Sequence, residues 1–215
     1  MVIAKDLRED DAPAHIPVAI SARHVHLTQS SIERLFGADY QLQVYAPLGQ
    51  PGQFAAAETV TLVGARGRLA HVRIVGPPRK EDQVEISRSD AFVLGIDAPL
   101  RESGNLPNSP GIVVEGPVGS VTLDHGVICA LRHIHMSPAD ADTLGLKDQD
   151  RVEVALESQE RRLIFGDVVV RVSPEYRLEL HLDTDEGNAA GLRAGDDGLL
   201  LRQTDVKANL LGHTA

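Results

Sequence analysis

Arg23-His24-Val25-His26-Leu27 and Arg132-His133-Ile134-His135-Met136 are one phrase written twice. In each, an arginine precedes His-x-His, and apolar residues fill the other places. On a β-strand successive side chains point to opposite faces. Each phrase then places its two imidazoles on one face and its apolar residues on the other. Paired imidazoles are poor core material and good metal ligands. Four of the nine histidines sit in these two phrases. The phrase predicts strand, and its repetition predicts two similar units.

A second echo follows each copy. Glu85-Ile86-Ser87-Arg88-Ser89-Asp90, continuing to Gly95-Ile96, aligns with His181-Leu182-Asp183-Thr184-Asp185-Glu186, continuing to Gly191-Leu192. Pro77 and Pro174 lie just upstream of the two copies. The order of echoes is the same in both halves, as expected of two units of ordinary domain size. The alignment puts Glu85 where the other half has His181. This suggests two donor sets: His24, His26 and Glu85 in one, and His133, His135 and His181 in the other. Three protein ligands with a position left open is the pattern of a catalytic zinc site. Imidazole with carboxylate also suits Fe, Co, Mn or Ni. The remaining histidines, His15, His71, His125 and His213, fall in no such pattern.

The rest of the chain reads as short strands separated by Gly and Pro turns. Ile16 to Leu27 reads as one strand, and Gly126 to Met136 as another. Shorter runs are Glu58–Val63, Arg68–Val75, Gln83–Ile86, Ile112–Glu115, Val121–Leu123, Val152–Leu156, Leu163–Val172 and Leu178–Leu182, with a last strand from Leu199. Residues 46–53 read as loop from their Pro and Gly content. Helices are predicted after Thr28 or Ser30, ending at Gly37, and after Ser137-Pro138. Residues 1–15 and 203–215 read as tails. Many short strands and few helices favour barrels or sandwiches.

Composition narrows the function. At 215 residues, with 42% hydrophobic and 24% charged residues, the chain has the make-up of a globular protein. A net charge of −10 argues against nucleic acid as a partner and fits a soluble cytoplasmic protein. No apolar run approaches the ~20 residues of a membrane span, and the acidic N-terminus is no signal peptide. The single Cys129 lies in an apolar stretch, as an inert buried thiol would. Between Thr59 and Lys80 there is no acid, but there are Arg66, Arg68, Arg73, Arg79 and Lys80. This strip is either a solvated strand face or a landing site for a phosphorylated ligand. Arg79, six residues before Glu85, stands within reach of a metal pocket, and arginine holds phosphate through two parallel hydrogen bonds. Arg101-Glu102-Ser103-Gly104 offers further donors, and Asn188 and Gly191 a possible pocket rim.

These strings together resemble the phosphate propanoyltransferases, the phosphotransacylases of propanediol utilisation and bacterial microcompartments. The resemblance covers about Ile16 to Leu192. It rests on SARHVHL (21–27), QVEISRSD (83–90), APLRESG (98–104), the run Ala130-Leu131-Arg132-His133-Ile134-His135-Met136, and HLDTDEGNAAGL (181–192). Leu131 is an insertion relative to the tighter family form.

The resemblance implies a mainly β protein of two similar β-barrel domains that exchange segments, with a few short helices. The first unit would span 23–123, with a loop insertion at about 37–57. The second would combine 16–22 with 124–202. It implies two zinc ions per chain, on His24, His26 and Glu85 and on His133, His135 and His181. Arg79 would bind phosphate, and Ser21, Arg73 and Asn188 would contact coenzyme A as substrate. The implied reaction joins a short-chain acyl-CoA and inorganic phosphate to give acyl phosphate and coenzyme A. Members destined for the microcompartment lumen carry an amphipathic N-terminal extension, from which this acidic N-terminus departs. A homodimer suits an enzyme of this size. The rival readings are a metal-dependent hydrolase, a cupin-like enzyme and a non-catalytic metal-binding protein. A hydrolase on an α/β barrel would need more helices than this chain offers. A cupin-like enzyme would need neither the donor set twice nor the arginine strip. A binding protein would show no turnover of acyl-CoA with phosphate.

Overall fold

A computed structural model describes residues 14–158, 161–193 and 195–201. Of the expected tails at 1–15 and 203–215, residues 1–13 and 203–215, with His213, lie outside the described residues, whereas His15 opens the first strand. In chain order the strands and helices are β1 His15–Ser21, β2 His24–His26, α1 Gln29–Phe36, β3 Val44–Pro47, β4 Phe54–Val63, β5 Arg68–Gly76 and β6 Gln83–Glu85. Next come α2 Arg88–Leu94, β7 Leu100–Arg101, β8 Ile112–Glu115, β9 Ser120–Leu123, β10 Val127–Ala130 and β11 His133–Met136. The chain continues with α3 Pro138–Leu144, β12 Arg151–Glu157, β13 Arg162–Val172, β14 Glu179–Asp183, α4 Thr184–Ala190 and β15 Asp197–Leu201.

The protein is mainly β, as its short alternating runs predict. Six strands close a barrel in the order β1-β14-β11-β13-β12-β15. Nine others form a curled sheet, β7-β10-β6-β2-β5-β4-β8-β9, with β3 paired to β4. This sheet remains open, because its end strands β7 and β9 do not pair with each other. Each sheet has its own core. Val25, Ile74, Val84, Leu62 and Val114 pack with Ile32 and Leu35 of α1 in the first. Ile134, Met136, Val154, Val170 and Leu180 pack with Ile16 in the second.

The two units repeat one another at the level of register. β2 runs parallel to β5 and antiparallel to β6, with His24 opposite Glu85. β11 runs parallel to β13 and antiparallel to β14, with His133 opposite His181. α2 and α4 each open with a capping box, from Ser87 and Asp90 and from Asp183 and Glu186. Both end on a glycine in the left-handed region, Gly95 and Gly191, where a Cβ would be strained.

Each phrase is preceded by a strand given to the other unit. β1 joins the barrel, with Ala19 opposite His181. β10 joins the open sheet, with Ile128 opposite Glu85. The long strands expected at Ile16–Leu27 and Gly126–Met136 are therefore each broken in two, and the break is the crossing point. Residues 127–130, expected with the second unit, lie in the first sheet for this reason. Two further differences are local. Val44 to Pro47 form an edge strand where 46–53 reads as loop, and α2 and α4 were not anticipated as helices.

Candidate active site

The alternation in each phrase works as the sequence predicts. Val25, Ile134 and Met136 enter the two cores, and the four histidines face the seam between the units. There they line one cavity of about 470 Å³, together with Glu85 and His181. That volume is in the range of small-molecule sites. His24, His26 and Glu85 form one cluster and His133, His135 and His181 another. Within each, one donor atom per residue lies within 4.8 Å of the others.

The hydrogen bonds prepare these donors for a cation. A carbonyl only accepts, so an imidazole nitrogen facing one must carry the proton. His24 Nδ1 donates to Ala22 O at 2.9 Å and His26 Nδ1 to Val75 O at 3.2 Å. In neutral rings both Nε2 atoms are then lone pairs, and they face each other at 3.2 Å. Two lone pairs at that distance repel unless a positive charge lies beside them. His133 Nδ1 likewise donates to Leu131 O at 2.7 Å. Both ring nitrogens of His135 and Nε2 of His181 are buried without a hydrogen-bond partner. His181 Nε2 lies 3.0 Å from Glu179 Oε2, a contact that holds the Glu179 carboxyl below its usual range. Buried polar atoms left unpaired are costly. The donor sets thus fit metal ions, with backbone carbonyls in the supporting role usual for metal-binding histidines.

Electrostatics favour the metal-ready protonation states. Burial, reinforced by His24 and Arg79, pushes His26 down to about 3. Burial and the neighbouring His181 push His133 down to about 4. Burial and the other two imidazoles of its cluster push His135 down to about 2. Burial alone would raise Glu85, but His24 and His26 outweigh it and hold the carboxyl well below the usual range. Its Oε1 accepts from Ser103 Oγ at 2.7 Å and from Gln83 Nε2, and Gly104 N donates to Gln83 Oε1 at 2.8 Å. The loop read as a donor cluster thus serves to fix Glu85.

Arg79, Ser21 and Arg73 all line the cavity. Burial lowers the Arg79 guanidinium while Glu85 offsets it. Asn188 does not line the cavity; it is exposed on α4. The arginine strip does not act as one surface. Arg68 pairs with Glu115, and Arg66 packs beside Gly95 at the end of α2.

Sequence reasoning missed Tyr176, whose ring stacks on His135 with centroids 3.9 Å apart. It also missed Gln50, Glu179 and Arg171 in the lining. Gln50 carries the loop before β4 onto the second unit. Its Nε2 donates to Arg177 O at 3.2 Å and Glu179 Oε2 at 2.9 Å, and its Oε1 accepts from Arg177 N at 3.2 Å. Arg171 and Glu179 were legible in principle, because they flank His135 on the two neighbouring strands. Cys129 is buried, and burial raises its thiol to about 11, so it is inert as expected.

The sequence model of the family described as phosphate propanoyltransferase matches residues 17–193. The chain belongs to this family. The phosphate propanoyltransferase of Thermotoga maritima is 55% identical over 181 residues, 84% of this chain and 86% of that one. Those of Klebsiella pneumoniae and Salmonella typhimurium are 55% identical over 179 residues and 54% over 176. They cover 83% and 82% of this chain, and 85% and 83% of their own lengths. The protein is thus an acyltransferase that uses phosphate, and both donor clusters lie inside the matched span. No described helix is long and apolar enough to cross a membrane.

Proposed function

We propose that this enzyme passes a short acyl group, propanoyl or acetyl, between coenzyme A and phosphate at a centre with two zinc ions. The observation that carries this reading is the pairing of two three-donor clusters in one cavity with Arg79. His24, His26 and Glu85 would hold one ion, and His133, His135 and His181 the other. Ions held there supply Lewis-acid charge for the thioester carbonyl and an affinity for thiolate.

The remaining work falls to side chains. Arg79 holds the phosphate, whose oxygens match a guanidinium fork. Fixing phosphate beside the thioester carbonyl turns an encounter into an oriented reaction. Phosphate is already an anion at neutral pH, so its attack needs no dedicated base. Ser21 and Arg73, in the cavity wall, would meet the coenzyme, and Asn188 a part of it outside the cavity. A cytoplasmic site of action accords with the net charge of −10.

The test is phosphate-dependent release of free thiol from propanoyl-CoA and acetyl-CoA, with metal counted per chain. Thiol release that requires phosphate, from protein holding two metals, is the expected result. A metal-loaded protein with no such release would be a binding protein instead. Full activity at one metal per chain would remove the two-ion centre.

A further inference from the structure

Four arginines line the cavity: Arg23, Arg73, Arg79 and Arg171. Two are committed. Arg23 Nη1 lies 2.7 Å from Asp90 Oδ1. Arg73 Nη1 donates to the carbonyls of Ala56 and Ala57 at 2.8 and 2.9 Å, and its guanidinium lies over Tyr45. Arg79 and Arg171 are not tied down in this way. Among the described residues the one carboxylate within ion-pair distance of Arg171 is Glu102, at 4.0 Å, the outer limit of such a contact. Arg171 is the β13 partner of His135, so its side chain leaves the sheet on the face that carries the histidines. Its guanidinium also lies 5.8 Å from the ring of Tyr176, the residue stacked on His135.

Arg171 and Arg79 are near enough to repel, and the charge of Arg171 helps to lower both Arg79 and His135. Two neighbouring guanidiniums with no carboxylate shared between them form an unfavourable arrangement until an anion joins them. The two units differ here. In the first sheet the arginine opposite the phrase is Arg73, beside His24, and it is bonded to backbone. In the barrel it stands one same-face step along, beside His135, and its carboxylate contact is the long one to Glu102.

We infer that Arg171 shares the phosphate with Arg79, so that the anion is held by two guanidinium forks. One fork engages two oxygens of a phosphate, and the remaining oxygens need another donor. The contact of Arg171 with Glu102, at 4.0 Å, is long enough to be exchanged for one with an anion. This inference rests on the acyltransferase reading above and adds to it a second determinant of phosphate affinity.

The test varies phosphate at fixed propanoyl-CoA for wild type, Arg171→Ala, Arg171→Lys and Glu102→Gln. Phosphate-dependent turnover by wild type keeps the acyltransferase reading separate from this one. Arg171→Ala should raise the phosphate KM about 10- to 100-fold, as for a lost charged hydrogen bond. The acyl-CoA KM should move by less than about twofold, with metal content unchanged. Arg171→Lys keeps the charge and stem, guards against a folding defect, and should recover part of the phosphate KM. Glu102→Gln should leave that KM unchanged or lower it. A fall in kcat with the phosphate KM unmoved in both Arg171 variants would overturn the inference. So would a rise in phosphate KM in Glu102→Gln as large as in Arg171→Ala, because the pair would then be a structural brace.

Discussion

The arginine that opens each phrase has a structural partner. Arg23 pairs with Asp90, and Arg132 Nε lies 3.2 Å from Glu186 Oε1. Asp90 and Glu186 are the third residues of α2 and α4 and close their capping boxes. The repeated arginine therefore ties the strand of ligands to the helix that follows the third ligand. Arg79 has no such tie, and its replacement is a clean test. Arg79→Ala should lower kcat/KM for phosphate by about 10² or more while the metal content stays constant. Replacing His133 and His135 together by alanine should remove about half the metal, leaving the cluster at Glu85 loaded. Metal analysis of both variants checks the two expectations. The pH dependence follows from His26, His133 and His135, all held neutral by burial. In the unfolded chain they protonate near 6.5, so below that pH the unfolded state binds more protons and stability falls. Metal-free protein should be most stable above about pH 6.5. At pH 5 it should lose at most on the order of 2 kcal/mol per histidine. Denaturant midpoints of chelated protein at pH 7 and pH 5 would show this, and equal midpoints would refute it.

At the scale of elements, the spacing of the echoes is cross-strand register. The span from His24 to Glu85 differs from that between His133 and His181, yet both pairs are direct antiparallel neighbours. The ligand clusters were legible because alternation on a strand and the order of echoes both survive changes in loop length. The helices α2 and α4 were not, because seven residues give too short a window for helical periodicity. Their signal was the cap: Ser87 with Asp90 and Asp183 with Glu186, each followed by Gly95 or Gly191. The breaks at Ala22-Arg23 and Leu131-Arg132 were hidden because no Pro or Gly marks them; the chain changes sheet there within two residues. Asp183→Ala should cost about 1 kcal/mol through loss of the cap, read from thermal unfolding. Gly111→Ala should cost more, roughly 1–3 kcal/mol, because a Cβ there would lie 1.9 Å from Leu123 O, a backbone atom that cannot turn aside.

For the whole molecule, the reciprocal exchange of β1 and β10 decides how the two units depend on each other. Ala19 opposite His181 and Ile128 opposite Glu85 put a strand from each half beside the third ligand of the other. Ser89 N, on α2, donates to Asp185 Oδ2 of α4 at 2.8 Å, so equivalent positions of the two units meet at the seam. Damage to β1 should be felt in the barrel and not in the sheet that follows it in sequence. In Val18→Pro the lost amide bond to Asp196 O should cost about 1–3 kcal/mol. Hydrogen exchange should quicken in β14 and β15 while β4, β5 and β8 keep their protection; the reverse pattern would contradict the exchanged topology. The same strand has a consequence for synthesis. Val18 pairs with Leu180, so β1 is made about 160 residues before its partner. At ~5–20 residues per second it waits on the order of 10–30 s beside the ribosome with its hydrogen-bonding edges bare. An unpaired edge is a template for association with other chains. Nascent-chain capture by holding chaperones should therefore concentrate on His15–Ser21, and release should follow only when β14 and β15 emerge.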